Sequence, residues 1–467
     1  MNMENKCLIK GMIEKKTAKM REKIMASGAV LTDICHLLNY RKLATAGEHG
    51  TVWTRALQRA LCEHEVVVID PAEEVYYIDD TVVIPSDRRI EAVGAVIRLT
   101  PACEVLMLRN EHTADGTHTP IDTAVRDRNI TIHGGRWEES HERRLGYGKS
   151  GRYTWEKDGE VRRPFYGVST CMFFNNIDGL RIADATFAHT AGFAVQVGDI
   201  RGAVFENIGF VSCYADGLHI NGRTENVFIR HIFGEVGDDL VALNAYDWQD
   251  SSVDFGEIST VWCEDLDLWK TSRYQAFRLV PGLYTYADGG TVDCAVRGVV
   301  VKNVRGIRTF KLYFQTPAYE IGRSPEKGDV GSGDNIFFED IDIDLTGSVD
   351  GTGGHGSDHE IYGVFGAFEV CANIGYLSFE NIRLVTYPEK NPHSYLVRVG
   401  PKALFYKGKE IFDPYVSCRL ETVSLKDITV GGRAADVPAL VRAVSFDDIN
   451  GDGFSTGRGE IGTVICG

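Results

Sequence analysis

Three aspartates stand in two segments that begin alike, a turn followed by alternating apolar residues. They are Asp216 in Asp216-Gly-Leu-His-Ile-Asn, and Asp238 and Asp239 in Gly237-Asp-Asp-Leu-Val-Ala-Leu-Asn. Asp216 and Asp239 are 23 residues apart (239 − 216). If 23 residues make one repeat, they stand on adjacent strands, about 4.8 Å apart in a parallel sheet. Three carboxylates on one patch repel when ionised, so at least one should keep its proton near neutral pH. A protonated acid beside an ionised base is the equipment of glycoside hydrolysis: one protonates the leaving oxygen, the other activates water. Clustered carboxylates also bind Ca²⁺ or Mg²⁺, and aspartates after glycine often only make turns. The register of Asp216 with the pair favours chemistry, and two cations close by in the same pattern, Arg278 and Lys311, weigh against a metal.

Those cations come from the next repeats, Gln275-Ala-Phe-Arg-Leu-Val and Phe310-Lys-Leu-Tyr-Phe. Strand alternation sends Leu218, Val241 and Phe277 inward, and Ile220, Leu243 and Leu279 after them. His219, Ala242 and Arg278 then face out, joined by Lys311 and Tyr313. His219 and Arg278 are candidates for holding substrate, Arg278 through a carboxylate or sugar hydroxyl. Trp248, Trp262, Trp269, Tyr284 and Tyr286 could stack on sugar faces but serve packing equally well. Glu369 falls on a later repeat of the same row.

The elements that must position these residues are mostly strands. Only the first 65 or so residues read as helical: Ala26 to Leu38 and Thr51 to Leu61 place apolar residues three and four apart. From Val66 onward the pattern is short β-branched runs split by Asp, Pro and Gly. Asn129, Asn176, Asn207, Asn226, Asn303 and Asn381 each open or sit within an alternating run, and between Asn176 and Ala245 copies recur at roughly 22 to 25 residues. A period of that size with strands in each copy is a solenoid, here a right-handed parallel β-helix. No coil can bury its own inward face, so coils must stack. Asn suits the corner because it tolerates the left-handed conformation and can bond to the next copy. The expected division is a helical segment and cap over 1–65 and the β-helix over 66–467. Loops at 151–163, 248–254, 281–293 and 320–357 interrupt the period and should wall a cleft.

Composition narrows the classes. Gly is 50 of 467 residues and Pro only 13, which fits many tight turns. The formal charge of −16 argues against a nucleic-acid partner, though a cleft can still be locally basic. No run of ~18 apolar residues would span a membrane. The N-terminal stretch carries charges where an export signal needs an apolar core, and 11 Cys without CxxC read as reduced thiols. A cytoplasmic enzyme with a carbohydrate partner is expected, with no cofactor; homo-oligomerisation is left open.

At these motifs the chain resembles glycoside hydrolase family 28, the polygalacturonases, within the pectin-lyase-like β-helix superfamily. Thr51-Val-Trp-Thr-Arg-Ala-Leu-Gln-Arg-Ala-Leu with Val68-Ile-Asp-Pro resembles the capping segment of that superfamily, and the Asp216 and Asp238-Asp239 motifs resemble the family's Asn-Thr-Asp-Gly and Gly-Asp-Asp. The resemblance implies inverting hydrolysis without a metal, Asp238 as acid, and Asp216 with Asp239 holding water. It also marks departures. Gln275 stands where the family has the His of Gly-His-Gly, and Lys311-Leu-Tyr313 where it has Arg-Ile-Lys. With the galacturonate-binding residues altered, His219, Gln275, Arg278, Lys311 and Tyr313 become the expected substrate contacts. The substrate implied is a small glycoside or oligosaccharide, with or without a uronic acid. The alternative is a lyase or epimerase on the same β-helix, for which Lys311 and Tyr313 would supply the proton chemistry.

Overall fold

The computed structural model describes residues 3–139, 155–157, 160–162, 170–247, 252–272, 276–307, 310–313, 331–344, 365–386, 394–400, 404–406, 409–411, 417–434, 441–443 and 458–467, apart from 73, 102, 104, 118, 123 and 432. Most of the described strands pair in parallel with those of the following coil, the arrangement of a parallel β-helix; a few short pairs, such as Gly282–Thr285 with Thr291–Cys294, are antiparallel. The chain divides into two compact units: Lys15–Leu240 with Gln249–Phe255, and Met1–Glu14 with Val241–Trp248 and Gly256–Gly467.

In the unit built on Lys15–Leu240, the strands Thr170–Ala183, Phe193–Cys213 and Leu218–Val236 stack in register, Val195 opposite Leu218 and Val197 opposite Ile220. Leu218 and Ile220 point inward and are buried, as their alternation requires. Trp137, Phe187 and Phe210 form one inward column, with the two phenylalanine rings stacked 5.9 Å apart. Burying a side chain of that size stabilises by roughly 1.5–3 kcal/mol over leaving it exposed, which only a neighbouring coil can supply. In the other unit Val241 pairs with Phe277 and Leu243 with Leu279, all buried. Phe338 packs there against Phe277, Phe368 and Phe379.

The corners hold a column of left-handed residues that the Asn pattern only half revealed. Asp265, Asn303, Asp340, Asn381 and Asp427 succeed one another in register, all at φ between 52° and 59°. The amides of Asn303 and Asn381 donate to the carboxylates of Asp265 and Asp340, each on the coil before. In the first unit Asn207 does the same to Asp184 at 2.7 Å. Asn129 and Asn226 belong to a different corner and Asn176 to a third. The six Asn therefore do not mark one repeated position: three separate bends each need a residue that tolerates positive φ, and Asn meets that need at each.

The N-terminal region corrects the sequence reading. Helix α1 spans Met3–Ala29, so the charged stretch is helical, while the segment expected to be helical from Ala26 to Leu38 leaves the helix at Ala29. It continues as a strand, Ile34–His36, in parallel pairing with Val66–Val68, followed by a short 3₁₀ helix at Leu37–Leu43. Coiling thus begins ahead of residue 66. The sequence does not mark helix α1 because its buried positions among the described residues, Lys6, Ile13, Thr17, Ile24 and Gly28, form a stripe too narrow and too polar to show amphipathicity. Lys6 donates to Asn335 at 2.6 Å in one unit, and Arg21 pairs with Glu206 at 3.0 Å in the other. Helix α2, Thr54–Glu63, matches the second expected helix and buries Ala56, Leu57, Ala60 and Leu61. No helix among the described residues is long and apolar enough to cross a membrane.

Candidate active site

Asp216 and Asp239 occupy the same corner of consecutive coils. Gly217 N–H donates to Asp239 O at 2.9 Å and Leu218 N–H to Leu240 O at 3.0 Å, so the register read from the 23-residue spacing is the one adopted. Both motifs contain glycine for lack of room. A Cβ on Gly237 would lie 1.9 Å from the carbonyl oxygen of Tyr214, and one on Gly217 would lie 2.5 Å from the Phe210 ring and 2.7 Å from Leu240 O. Only hydrogen lets the two coils approach closely enough to bring their carboxylates together.

Asp216, Asp238 and Asp239 each present a carboxylate oxygen within 4.8 Å of the others. Asp216 and Asp239 are wholly buried and Asp238 is half-buried. Oδ1 of Asp216 accepts the backbone N–H of Asp239 at 3.0 Å, and Oδ2 lies 2.5 Å from Nδ1 of His219. The His219 ring stacks on Phe193, with centroids 3.9 Å apart and planes 10° from parallel. His219 points out of the coil, as alternation requires, yet it is fully buried and engaged with Asp216. Both Asp216 oxygens are thus engaged within the protein. A second close set, Glu111, His112 and Asp127, is similarly engaged: Asp127 accepts from Ser86, Asn110 and the backbone N–H of His112.

Two further carboxyls in this unit are buried away from the three aspartates. Burial pushes Glu139 up to about 8; one oxygen accepts the Ala191 N–H at 2.9 Å and the other has no hydrogen-bond partner among the described residues. Asp254 is raised to about 7, by burial first, with Arg223 opposing. Asp254 anchors a segment laid over the outward row. Its Oδ2 accepts from the backbone and side chain of Arg223, and the carbonyl of Val253 accepts the Gly116 N–H. Val253 sits where a Cβ on Gly198 would be, 2.7 Å away. Beneath this segment Gln196 and Asn221 are fully buried and bonded to each other at 3.0 Å.

In the other unit, backbone pairing lines up Ala242, Arg278, Lys311, Glu369, Arg398 and Arg442 on successive strands. Arg278 and Arg398 are buried, Glu369 half-buried and Arg442 exposed. The sequence pattern found Arg278, Lys311 and Glu369; it missed Arg398 and Arg442 because long insertions break the period before them. Lys311 and Tyr313 lie on the strand Phe310–Tyr313, and their side chains fall outside the described part. Gln275 and Trp248 lie outside the described residues. Trp262 is buried with its indole N–H on Glu264 at 2.8 Å, a packing role. Trp269 is 42% exposed. The 281–293 loop is an antiparallel hairpin, Gly282–Thr285 with Thr291–Cys294, on which Tyr284 and Tyr286 meet edge to face at 5.1 Å.

No protein-family model and no curated protein matches the chain. Solved structures do. An exopolygalacturonase from Thermotoga maritima aligns over 96% of both chains at 12% identity with a TM-score of 0.52. The family 28 exopolygalacturonase of Yersinia enterocolitica aligns over 93% of this chain and 78% of its own at 11% identity, TM-score 0.46. An endo-xylogalacturonan hydrolase from Aspergillus tubingensis aligns over 88% and 98% at 14% identity, TM-score 0.46. At such identities the likeness to the Thermotoga structure is one of fold.

Proposed function

We propose that the protein is a glycoside hydrolase that cleaves small glycosides or oligosaccharides by acid and base chemistry at Asp216, Asp238 and Asp239. The observation that carries this reading is the convergence of three carboxylates within 4.8 Å, two of them wholly buried, at one corner of consecutive coils. The partly exposed Asp238 is suited to protonate a leaving oxygen that arrives from solvent, and Asp239 to act on the anomeric carbon's side. The fold shared with an exopolygalacturonase supports a glycan substrate.

A short substrate, met from its end, fits the segment 252–255. It covers Gly198 and Gly222, and Gln196 and Asn221 beside them are fully buried, so among the described residues this part of the outward row is closed to a polymer. A cytoplasmic setting is proposed with it, supported by eleven free cysteines.

The stereochemical course has two readings. Hydrolysis with inversion, implied by the family resemblance, places acid and base about 6.5–9.5 Å apart. Retention by direct attack of Asp239, which needs the carboxyls about 5–5.5 Å apart, is the second reading, since an oxygen of each of the three aspartates lies within 4.8 Å of the others. A panel of aryl glycosides and uronides, assayed with and without EDTA, tests the function. Chelator-insensitive hydrolysis supports it, and an unsaturated, ultraviolet-absorbing product would replace it with the lyase alternative. Proton NMR of the first-formed anomer separates inversion from retention.

A further inference from the structure

We propose that His219 is a positioning residue: it donates its Nδ1–H to Oδ2 of Asp216 and holds that carboxylate as the bracket of Asp239, leaving Asp239 to act on the substrate. The inference rests on the glycoside-hydrolase reading for its catalytic consequence, and on geometry alone for the pairing. Nδ1 and Oδ2 are 2.5 Å apart, and both residues are fully buried. The ring cannot rotate about its own axis without breaking its stack on Phe193. Phe193 begins the strand of the preceding coil and His219 stands on the next strand in register, opposite Gln196. Two coils thus fix the imidazole, and the imidazole fixes Asp216.

The other oxygen of Asp216 accepts the Asp239 N–H at 3.0 Å. Both oxygens of Asp216 are thus occupied by groups of the protein, and its grip on the Asp239 backbone sets where the Asp239 side chain begins. The three aspartates divide their work: Asp238 as acid, Asp239 as base or nucleophile, and Asp216 as a support that depends on His219. The sequence reading had placed His219 against the substrate and Asp216 against the water.

The test compares His219→Asn, whose amide nitrogen reaches the place of Nδ1, with His219→Leu, which removes the donor. With an aryl glycoside that the wild type cleaves, His219→Leu should lower kcat by about 10²-fold, the cost of a misplaced catalytic group, while KM stays within about threefold. His219→Asn should recover at least a tenth of the wild-type kcat. A His219→Leu enzyme with full kcat, or a folded His219→Asn enzyme as impaired as His219→Leu, overturns the proposal. A second measurement needs no turnover: in protein labelled with ¹⁵N-histidine, His219 should show a downfield, exchange-protected Nδ1 proton that Asp216→Ala abolishes. His219 protonated at Nε2 alone would overturn the pairing. A wild type inactive on every glycoside defeats the hydrolase reading, and the NMR result still decides the pairing.

Discussion

The backbone N–H of Asp239 lies 3.0 Å from Oδ1 of Asp216, so the side chain of one candidate catalytic residue holds the main chain of the other. Substitutions at the two positions should consequently report different things, one on the base itself and one on the ground it stands on.

For the chemistry, Asp238→Asn should abolish turnover of alkyl glycosides, whose poor leaving groups need protonation, and spare nitrophenyl glycosides. Asp239→Asn should lower both by about 10²- to 10⁴-fold, the range for a lost acid or base. Steady-state kcat on matched alkyl and nitrophenyl substrates measures this. Equal loss on both substrates in Asp238→Asn would take the acid role away from Asp238.

For stability, Asp216→Ala leaves the buried Asp239 N–H without its acceptor and should cost about 1–3 kcal/mol in urea unfolding. Asp216→Asn keeps an amide oxygen in place and should cost less.

Glu139 makes stability depend on pH. Its carboxyl is pushed up to about 8 by burial, from an ordinary 4.5. The folded chain keeps that proton over an interval in which the unfolded chain has lost it. The contribution is fully present below pH 4.5 and is lost as pH rises through about 8. Glu139→Gln should flatten this part of the profile. A wild-type melting temperature that rises from pH 5 to 8 in parallel with that of the variant would contradict it.

At the corners, Asn207 holds φ at 51° and bonds to Asp184. Asn207→Ala should cost about 1–2 kcal/mol for the left-handed backbone and roughly 1 kcal/mol for the bond. Asn207→Gly should lose the bond alone. Thermal unfolding of the two variants resolves the two contributions, and equal destabilisation would mean the backbone conformation costs nothing here.

Much of this architecture is legible in the residues because alternation has a period of two and the coil a period near 23. Leu218, Ile220, Val241, Leu243, Phe277 and Leu279 are buried where alternation puts them, and the stacking of Asp216 under Asp239 follows from counting. What counting cannot reach is what lies on top of an outward face. His219 and Arg278 point out of their coils yet are buried; on His219 the Phe193 ring of the preceding coil is stacked. Helix α1 was illegible for the opposite reason. Many of its contacts, such as Lys6 to Asn335 and Arg21 to Glu206, are made by polar groups that a hydrophobic pattern does not register.

The column Asp265, Asn303, Asp340, Asn381, Asp427 alternates acid and amide, and the recorded bonds run from each Asn back to the Asp one coil earlier. The repeating unit along this edge is therefore two coils long, although each coil looks like a complete module. Excising a single coil would set two carboxylates, or two amides, face to face, whereas removing a pair restores the alternation. A shortened or lengthened design along this stretch of chain should respect the same parity.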